Sequence, residues 1–191
     1  MSDNNILNSF DESIRVISDS KKLIDEIQSA SDLIIKCFSN DNKVVIFGNG
    51  GSAADSQHFA AEFIGRFQLE RKSLPAISLT TDSSILTALG NDYSFDDIFS
   101  RQCESLVKKN DIVIAISTSG NSLNVINGII SSKNNGAIII GILGNNGGKI
   151  KNLVNLPIII PSNSTPRIQE SHRLILHIIC DLVEKYIANK K

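Results

Sequence analysis

Tryptophan is absent from this chain of 191 residues, and cysteine is scarce, with Cys37, Cys103 and Cys180 the three examples. The odd count, the wide spacings and the lack of any CxxC pair argue against a disulfide framework and against a cysteine zinc site. We therefore expect free, buried thiols in a protein of a reducing compartment.

Neither sign of charge is in excess, since 19 basic and 20 acidic residues leave a formal net charge of −1. No basic patch is visible, so nucleic acid is not an expected partner. No apolar run approaches the roughly 20 residues of a membrane span, and the polar start of the chain lacks a signal-peptide pattern. We expect a cytoplasmic protein with no membrane partner, whose length suits a single domain over 1–191.

The first forty residues carry apolar side chains at steps of three and four residues or their multiples, which predicts helix. Polar residues at 18–21 interrupt the pattern, so it is compatible with one helix or with two. The apolar face either covers the core or pairs with another subunit, and the pattern does not choose between these roles. We treat 1–40 as a helical extension. The apolar positions are Phe10, Ile14, Ile17, Ile24, Ile27, Ile34 and Phe38.

Short apolar, β-branched runs without alternation replace the helical period from residue 43 onward. Such runs are typical of strands buried on both faces of a parallel sheet. They lie at 43–47, 75–79, 111–116, 137–143 and 156–160, and helix-length segments separate them at 52–67, 83–107 (broken near Gly90), 121–134 and 166–188, with a possible turn at 147–153. This alternation predicts an α/β fold with a mostly parallel sheet of about five strands.

A glycine-rich segment, Gly48-Asn-Gly-Gly-Ser-Ala-Ala-Asp55, follows the first predicted strand and opens a helix. Glycines let the backbone come close to a ligand, and a helix start offers free amides. A tight turn without a ligand explains the same residues. Neither GxGxxG nor GxxxxGK[ST] is present, so we expect no nucleotide cofactor.

A second segment, Ser117-Thr-Ser-Gly-Asn-Ser122, follows the third predicted strand. Its hydroxyl groups and backbone amides can donate hydrogen bonds to phosphate oxygens. An ordinary polar loop with a helix cap is the alternative. The density of hydroxyl groups favours a phosphate site. In parallel sheets ligands bind beyond the carboxyl ends of the strands, where both segments lie.

Two helical segments offer groups that can move protons. His58 and Glu62 are four residues apart and share a helix face, although a surface pair of this kind is common. The last helix carries Gln169, His172 and His177. Helical geometry alone does not choose between these two histidines. Asn91 and Asp92 either end a helix or hydrogen-bond sugar hydroxyls.

Taken together, these segments resemble the sugar isomerase (SIS) domain family over nearly the whole chain and in the family's order. The matching residues are Gly48-Asn-Gly-Gly-Ser-Ala-Ala-Asp55, Gln57-His-Phe-Ala-Ala-Glu62, Gly90-Asn-Asp92, Ser117-Thr-Ser-Gly-Asn-Ser122, Arg167-Ile-Gln-Glu170 and His177. The resemblance implies a three-layer, flavodoxin-like α/β sandwich and a homotetramer. It also implies isomerisation of a sugar phosphate, D-sedoheptulose 7-phosphate to D-glycero-D-manno-heptose 7-phosphate, toward surface polysaccharide such as lipopolysaccharide.

The same resemblance assigns roles residue by residue. Glu62 and His177 would be the catalytic pair. The phosphate would be held by Ser117, Thr118, Ser119 and Ser122, and the sugar site would be lined by Asn49, Gly50, Gly51, Glu62, Asn91, Asp92 and Gln169. Members of the family can bind zinc, and the matching ligands here are His58, Glu62, Gln169 and His177. A set that contains glutamine is unusual for zinc.

Three rival functions share the fold. Some relatives are non-catalytic tetrameric adaptors that bind a replication initiator, but they lack the glutamate and the histidine that Glu62 and His177 provide here. A sugar-phosphate sensor fused to a DNA-binding module is disfavoured, because residues 1–40 show no helix-turn-helix signal and no basic character. An isomerase of another ketose phosphate stays compatible with the sequence.

Overall fold

The structure, a computed structural model, describes residues 2–189, so residues 1, 190 and 191 of the predicted domain lie outside the described range. Five strands form one parallel sheet in the order β2-β1-β3-β4-β5. The strands are β1 (Val44–Gly48), β2 (Ala76–Ser78), β3 (Ile112–Ser117), β4 (Ile138–Leu143) and β5 (Leu156–Ile159). The predicted α/β class and the five-stranded parallel sheet are confirmed.

Seven α-helices surround the sheet within the described residues. They are α1 (Ser2–Asp19), α2 (Ile24–Ser39), α3 (Gly51–Ile64), α4 (Ser83–Asp92), α5 (Ser100–Leu106), α6 (Leu123–Asn134) and α7 (Thr165–Ala188), with short 3-10 turns at Ser20–Leu23, Phe95–Asp97 and Ile150–Asn152. The N-terminal pattern therefore resolves into two helices joined by one turn. None of the helices in the described part of the chain is long and apolar enough to cross a membrane.

Two apolar clusters, one on each face of the sheet, make three layers. On one face α1, α2, α3 and α7 pack against Ile46, Ile114 and other side chains of alternating strand positions. On the other face α5 and α6 pack against Val45, Val113 and their neighbours. Because each strand sends successive side chains to opposite faces, both clusters draw on the same strands. The expected three-layer sandwich is confirmed.

The prediction that every strand is buried on both faces is wrong for the two edge strands, since β5 buries only Ile158 fully and β2 exposes Ile77. Ile77, at the middle of β2, is 36% exposed, whereas all of β1 and β3 is buried. Ile77 is the register partner of Val45, so it lies on the face that α5 and α6 cover near the sheet centre. At the edge strand β2, α5 and α6 no longer cover this face of the sheet, so Ile77 is exposed. The break predicted near Gly90 in the helical segment 83–107 is confirmed, since α4 ends at Asp92.

The strand order places a crevice between the carboxyl ends of β1 and β3. After β1, the next strand in the chain, β2, pairs with one edge of β1, whereas the strand after that, β3, pairs with its other edge. Such a reversal is where open α/β sheets bind ligands. Here it brings together the two segments that follow these strands.

Candidate functional site

The glycine-rich turn after β1 lets α7 approach the start of α3. Gly50 has φ +57° and ψ −120°, a conformation that L side chains rarely adopt. At Gly51, the first residue of α3, an added Cβ would lie 2.5 Å from Nε2 of Gln169. Because Gly51 has no side chain, the side-chain amide of Gln169 packs directly against the glycine turn.

The hydroxyl-rich turn after β3 is closed by its own hydrogen bonds. Ser117, which is buried, has its Oγ 3.1 Å from Oγ of Ser122, and it accepts a hydrogen bond from the backbone N–H of Gly120 at 3.2 Å. Oγ of Ser119 accepts the N–H of Asn121 at 3.2 Å. The turn leads into the N-terminus of α6, which favours an anion. Because Oγ of Ser119 is an acceptor in its hydrogen bond with Asn121, its O–H remains a neutral donor at the helix start, as does the O–H of either Ser117 or Ser122.

A residue that the sequence did not single out joins these two turns. Nδ2 of Asn49 donates to Oδ1 of Asn124 at 2.8 Å, and Nδ2 of Asn124 donates back to Oδ1 of Asn49 at 2.9 Å. Asn124 is buried in α6. Each amide keeps one further N–H, so Asn49 retains a donor for a ligand. The two asparagines are 75 positions apart in the chain, so their contact becomes apparent only from the order of the strands in the sheet.

Glu62 meets two histidines where α3 crosses α7. Nε2 of His58 lies 3.2 Å from Oε1 of Glu62 and 2.9 Å from Nε2 of His177. All three side chains are half-buried. Burial, and next the neighbouring His58, hold the pKa of His177 below its ordinary value, which favours the neutral imidazole. The structure therefore brings the predicted catalytic pair together, with His58 beside it.

The structure separates the two histidines that helical geometry left open. His172 is fully buried and its Nε2–H donates to the carbonyl of Leu143 at 3.0 Å. Burial lowers the pKa of His172 to about 4, so this imidazole is neutral at pH 7. His177 instead lies beside Glu62. His172 is part of the packing between α7 and β4.

The donor set of His58, Glu62 and His177 fits a divalent metal ion. One ligand atom from each lies within 4.8 Å of the others. Zinc bonds of about 2.0–2.1 Å in a tetrahedron place ligand atoms roughly 3.3 Å apart. The distances from Nε2 of His58 to Oε1 of Glu62, 3.2 Å, and to Nε2 of His177, 2.9 Å, are close to this value. Two imidazoles and one carboxylate are ordinary zinc ligands. Gln169 lies two helical turns before His177 on α7, so its place as fourth ligand stays a prediction.

A cleft of about 620 Å³ runs along α7 beside these groups. Arg173 borders it and donates from Nε to the buried Oδ1 of Asp55 at 3.0 Å. This ion pair was missed by the sequence analysis, because its residues lie on separate helices. The cleft is lined by Gly51, Ala54, Asp55, Pro166, Gln169, Glu170, Arg173, Leu174 and His177.

Asn91 and Asp92 lie at the exposed end of α4. Nδ2 of Asn91 donates to Oδ1 of Asp92 at 2.8 Å. Both the helix-stop and the sugar-binding interpretations fit this position, since Asp92 is the last residue of the helix. Their role in a sugar site stays a prediction.

The fold and the site define a doubly wound α/β protein with a small-ligand crevice at its switch point and a His/Glu/His cluster beside it. The sequence model of the SIS domain family matches residues 9–144. The chain belongs to the SIS domain family.

Proteins of known name and structure agree with this assignment. The phosphoheptose isomerase of Citrifermentans bemidjiense is 56% identical over 164 residues, which are 86% of this chain and 85% of that protein. The structure of phosphoheptose isomerase from Neisseria gonorrhoeae superposes with a TM-score of 0.92 at 40% identity, covering 97% of this chain and all of that one. The phosphoheptose isomerase structure from Francisella tularensis gives 0.94 at 33% identity, with 97% and 99% covered.

Proposed function

We propose that the chain is an aldose–ketose isomerase that converts D-sedoheptulose 7-phosphate into D-glycero-D-manno-heptose 7-phosphate, a precursor of surface-polysaccharide heptose such as that of lipopolysaccharide. The observation that carries this proposal is the contact of Glu62 with the histidine cluster, beside a cleft that the glycine turn borders. The similarity to proteins named phosphoheptose isomerase supports the choice of substrate.

The reaction needs two proton transfers, and the residue types suit both. The Glu62 carboxylate takes a proton from C1 of the ketose, which leaves an enediol, and returns it to C2. His177 carries the second proton from the C1 hydroxyl to the oxygen on C2. Its lowered pKa keeps the ring neutral near pH 7 and ready to accept that proton.

The two turns at the switch point hold the ends of the substrate. Ser117, Thr118, Ser119 and Ser122, together with the start of α6, bind the phosphate dianion through neutral donors. The sugar hydroxyls meet Asn49, Gly50, Gly51, Asn91, Asp92 and Gln169. The close packing of Gln169 on Gly51 supports this assignment, because both residues line the same cleft.

Zinc is the metal that suits the cluster. His58, Glu62, Gln169 and His177 would hold it, and a bound zinc ion would polarise the sugar carbonyl and stabilise negative charge on oxygen. The two imidazole nitrogens and the Glu62 oxygen already converge. The protein's own residues still bind the substrate, orient it and move its protons.

We further propose a cytoplasmic homotetramer built from one domain over 1–191, with 1–40 as its helical extension. The extension has two faces: Val16 and Ile34 are buried in the core, whereas Phe10 and Ile14 are 65% and 64% exposed. An exposed apolar face of this kind suits pairing with another subunit. Three buried free thiols and a phosphorylated substrate suit a reducing compartment.

The adaptor alternative requires a chain without the catalytic pair, and this chain has both members in contact range.

The direct test is to incubate the purified protein with sedoheptulose 7-phosphate and to follow the aldose by NMR. The wild type should form the aldose, and Glu62→Gln, which is nearly isosteric, should fold and assemble normally but lack turnover. Turnover by Glu62→Gln near the wild-type rate would refute the base assignment. A wild type inactive on this and other ketose phosphates would favour the adaptor.

A further inference from the structure

The segment between α3 and β2, residues 65–74, has no regular secondary structure but is held by a buried carboxylate. Glu184 of α7, whose side chain is 2% exposed, accepts the backbone N–H groups of Phe67 at 2.8 Å, Gln68 at 2.6 Å and Leu69 at 2.7 Å. Burial alone would raise the pKa of Glu184, but these donors and Arg71 outweigh burial and hold the pKa below its usual range. The carboxylate therefore fixes three consecutive residues of the segment.

Arg71 completes this arrangement from within the segment. Its side chain is 3% exposed, and its Nε lies 3.1 Å from Oε1 of Glu184. The guanidinium also donates to the carbonyl of Glu62 at 2.7 Å and to that of Phe63 at 2.8 Å. The ion pair is thus tied to the backbone of Glu62 at the end of α3.

Phe67, whose backbone N–H is bound by Glu184, lies against the proposed catalytic residue His177. The ring of Phe67 is 5.6 Å from the ring of His177, centroid to centroid, and inclined by 38°. The ring of His58 lies 5.1 Å from His177. The imidazole of His177 therefore has both rings as neighbours, and Nε2 faces His58.

We propose that Phe67 is a positioning residue for His177, and that the Arg71–Glu184 pair holds Phe67 in that position. The inference rests on the proposed role of His177 in proton transfer. The ring contact limits rotation of the imidazole, so that Nε2 stays turned toward the cluster and the reacting oxygens. Without the aromatic face the imidazole samples other orientations, while the substrate-binding turns, which lie elsewhere, are unaffected.

The test uses ring signals of the protein's three histidines, His58, His172 and His177, recorded by NMR with EDTA present so that no metal ion fixes the imidazoles. Phe67→Leu removes the aromatic face and keeps an apolar side chain. We expect the His177 ring-proton signals to shift, while those of His172, buried on the same helix, stay in place. We expect kcat to fall roughly tenfold, with KM changed less than about twofold.

Three further variants separate positioning from mere packing. Phe67→Tyr keeps the ring and should restore both the His177 signals and kcat. Glu184→Gln loses the charge, and it should move the His177 signals in the same direction as Phe67→Leu and lower Tm. Leu69→Ala, on the exposed part of the same segment, keeps the backbone N–H that Glu184 binds and should match the wild type.

The outcomes distinguish this inference from the proposed function. If the wild type is active and Phe67→Leu retains wild-type kcat, or leaves the His177 signals unmoved, the positioning role is overturned. It is equally overturned if Phe67→Tyr loses as much activity as Phe67→Leu. If the wild type itself forms no aldose from the sugar phosphate, the proposed function is what fails.

Discussion

Asn49 and Asn124 exchange two side-chain hydrogen bonds, at 2.8 and 2.9 Å, across the crevice between β1 and β3. One residue belongs to the turn assigned to the sugar, and the other to the helix that begins at the turn assigned to the phosphate. The pair therefore links the two halves of the proposed substrate site at a fixed separation.

Asn124→Asp tests that link. The carboxylate keeps the size of the amide but opposes Oδ1 of Asn49 with a second oxygen, so one hydrogen bond is lost and a buried charge is added. We expect KM for the sugar phosphate to rise about tenfold and the free energy of unfolding to fall by about 1–3 kcal/mol. Asn134→Asp, at the exposed end of the same helix, is the control. Wild-type KM and stability in Asn124→Asp would show that the pair does not set the site.

We expect His177→Asn to lose activity and His172→Asn to lose stability. Loss of His177 removes the proposed proton carrier, so kcat should fall by about 10²–10⁴ with little change in Tm. Loss of His172 breaks the buried hydrogen bond to Leu143, so stability should fall while the folded protein keeps most of its turnover. Steady-state kinetics and thermal unfolding on both variants measure this. The opposite order of activities would show that the wrong histidine was chosen.

The burial of His172 has a consequence for pH dependence. Its pKa is about 4 in the folded protein and about 6.5 in an unfolded chain. Between these values the unfolded state binds the extra proton, so acid destabilises the fold as pH falls from about 6.5 to 4. Denaturant titrations of the wild type and His172→Asn should show a smaller loss in the variant over this range. An NMR titration in which His172 protonates near pH 6.5 would contradict this.

Zinc binding should depend on the cluster. We expect His58→Ala to lose at least tenfold in zinc affinity, measured by competition with a chromogenic chelator, because it removes one of the imidazole ligands that converge with Glu62. His172→Asn, which leaves the cluster untouched, should bind zinc as the wild type does. Equal zinc affinity in the wild type and His58→Ala would show that the metal binds elsewhere.

The sequence predicted those features that depend on local pattern. Runs such as 111–116 are buried on both faces, and they read as parallel strands because parallel sheets are covered on both sides. The same rule failed for Ile77, because nothing local distinguishes an edge strand from a central one. Motif similarity brought Glu62 and His177 into one hypothesis, although helical geometry alone could not choose between the two histidines.

Contacts between residues that are far apart in the chain were not predicted by the sequence analysis. Asn124 is an ordinary helix residue until the strand order places it beside Asn49. Neither Glu184 nor Arg71 was singled out by the sequence analysis, and their burial together depends on the packing of segment 65–74 against α7. The position of Phe67 beside His177 follows from that packing, since 110 residues of chain separate the two rings.

The most direct test of the central claim is the isomerase assay run in deuterated water. Sedoheptulose 7-phosphate is incubated with the wild type and with Glu62→Gln, each with and without added zinc, and the product is examined by NMR. Proton transfer by Glu62 predicts an aldose heptose 7-phosphate with deuterium at C2 from the wild type and no turnover from Glu62→Gln. An aldose formed equally fast by both proteins, or no aldose from the wild type under either condition, would contradict the account.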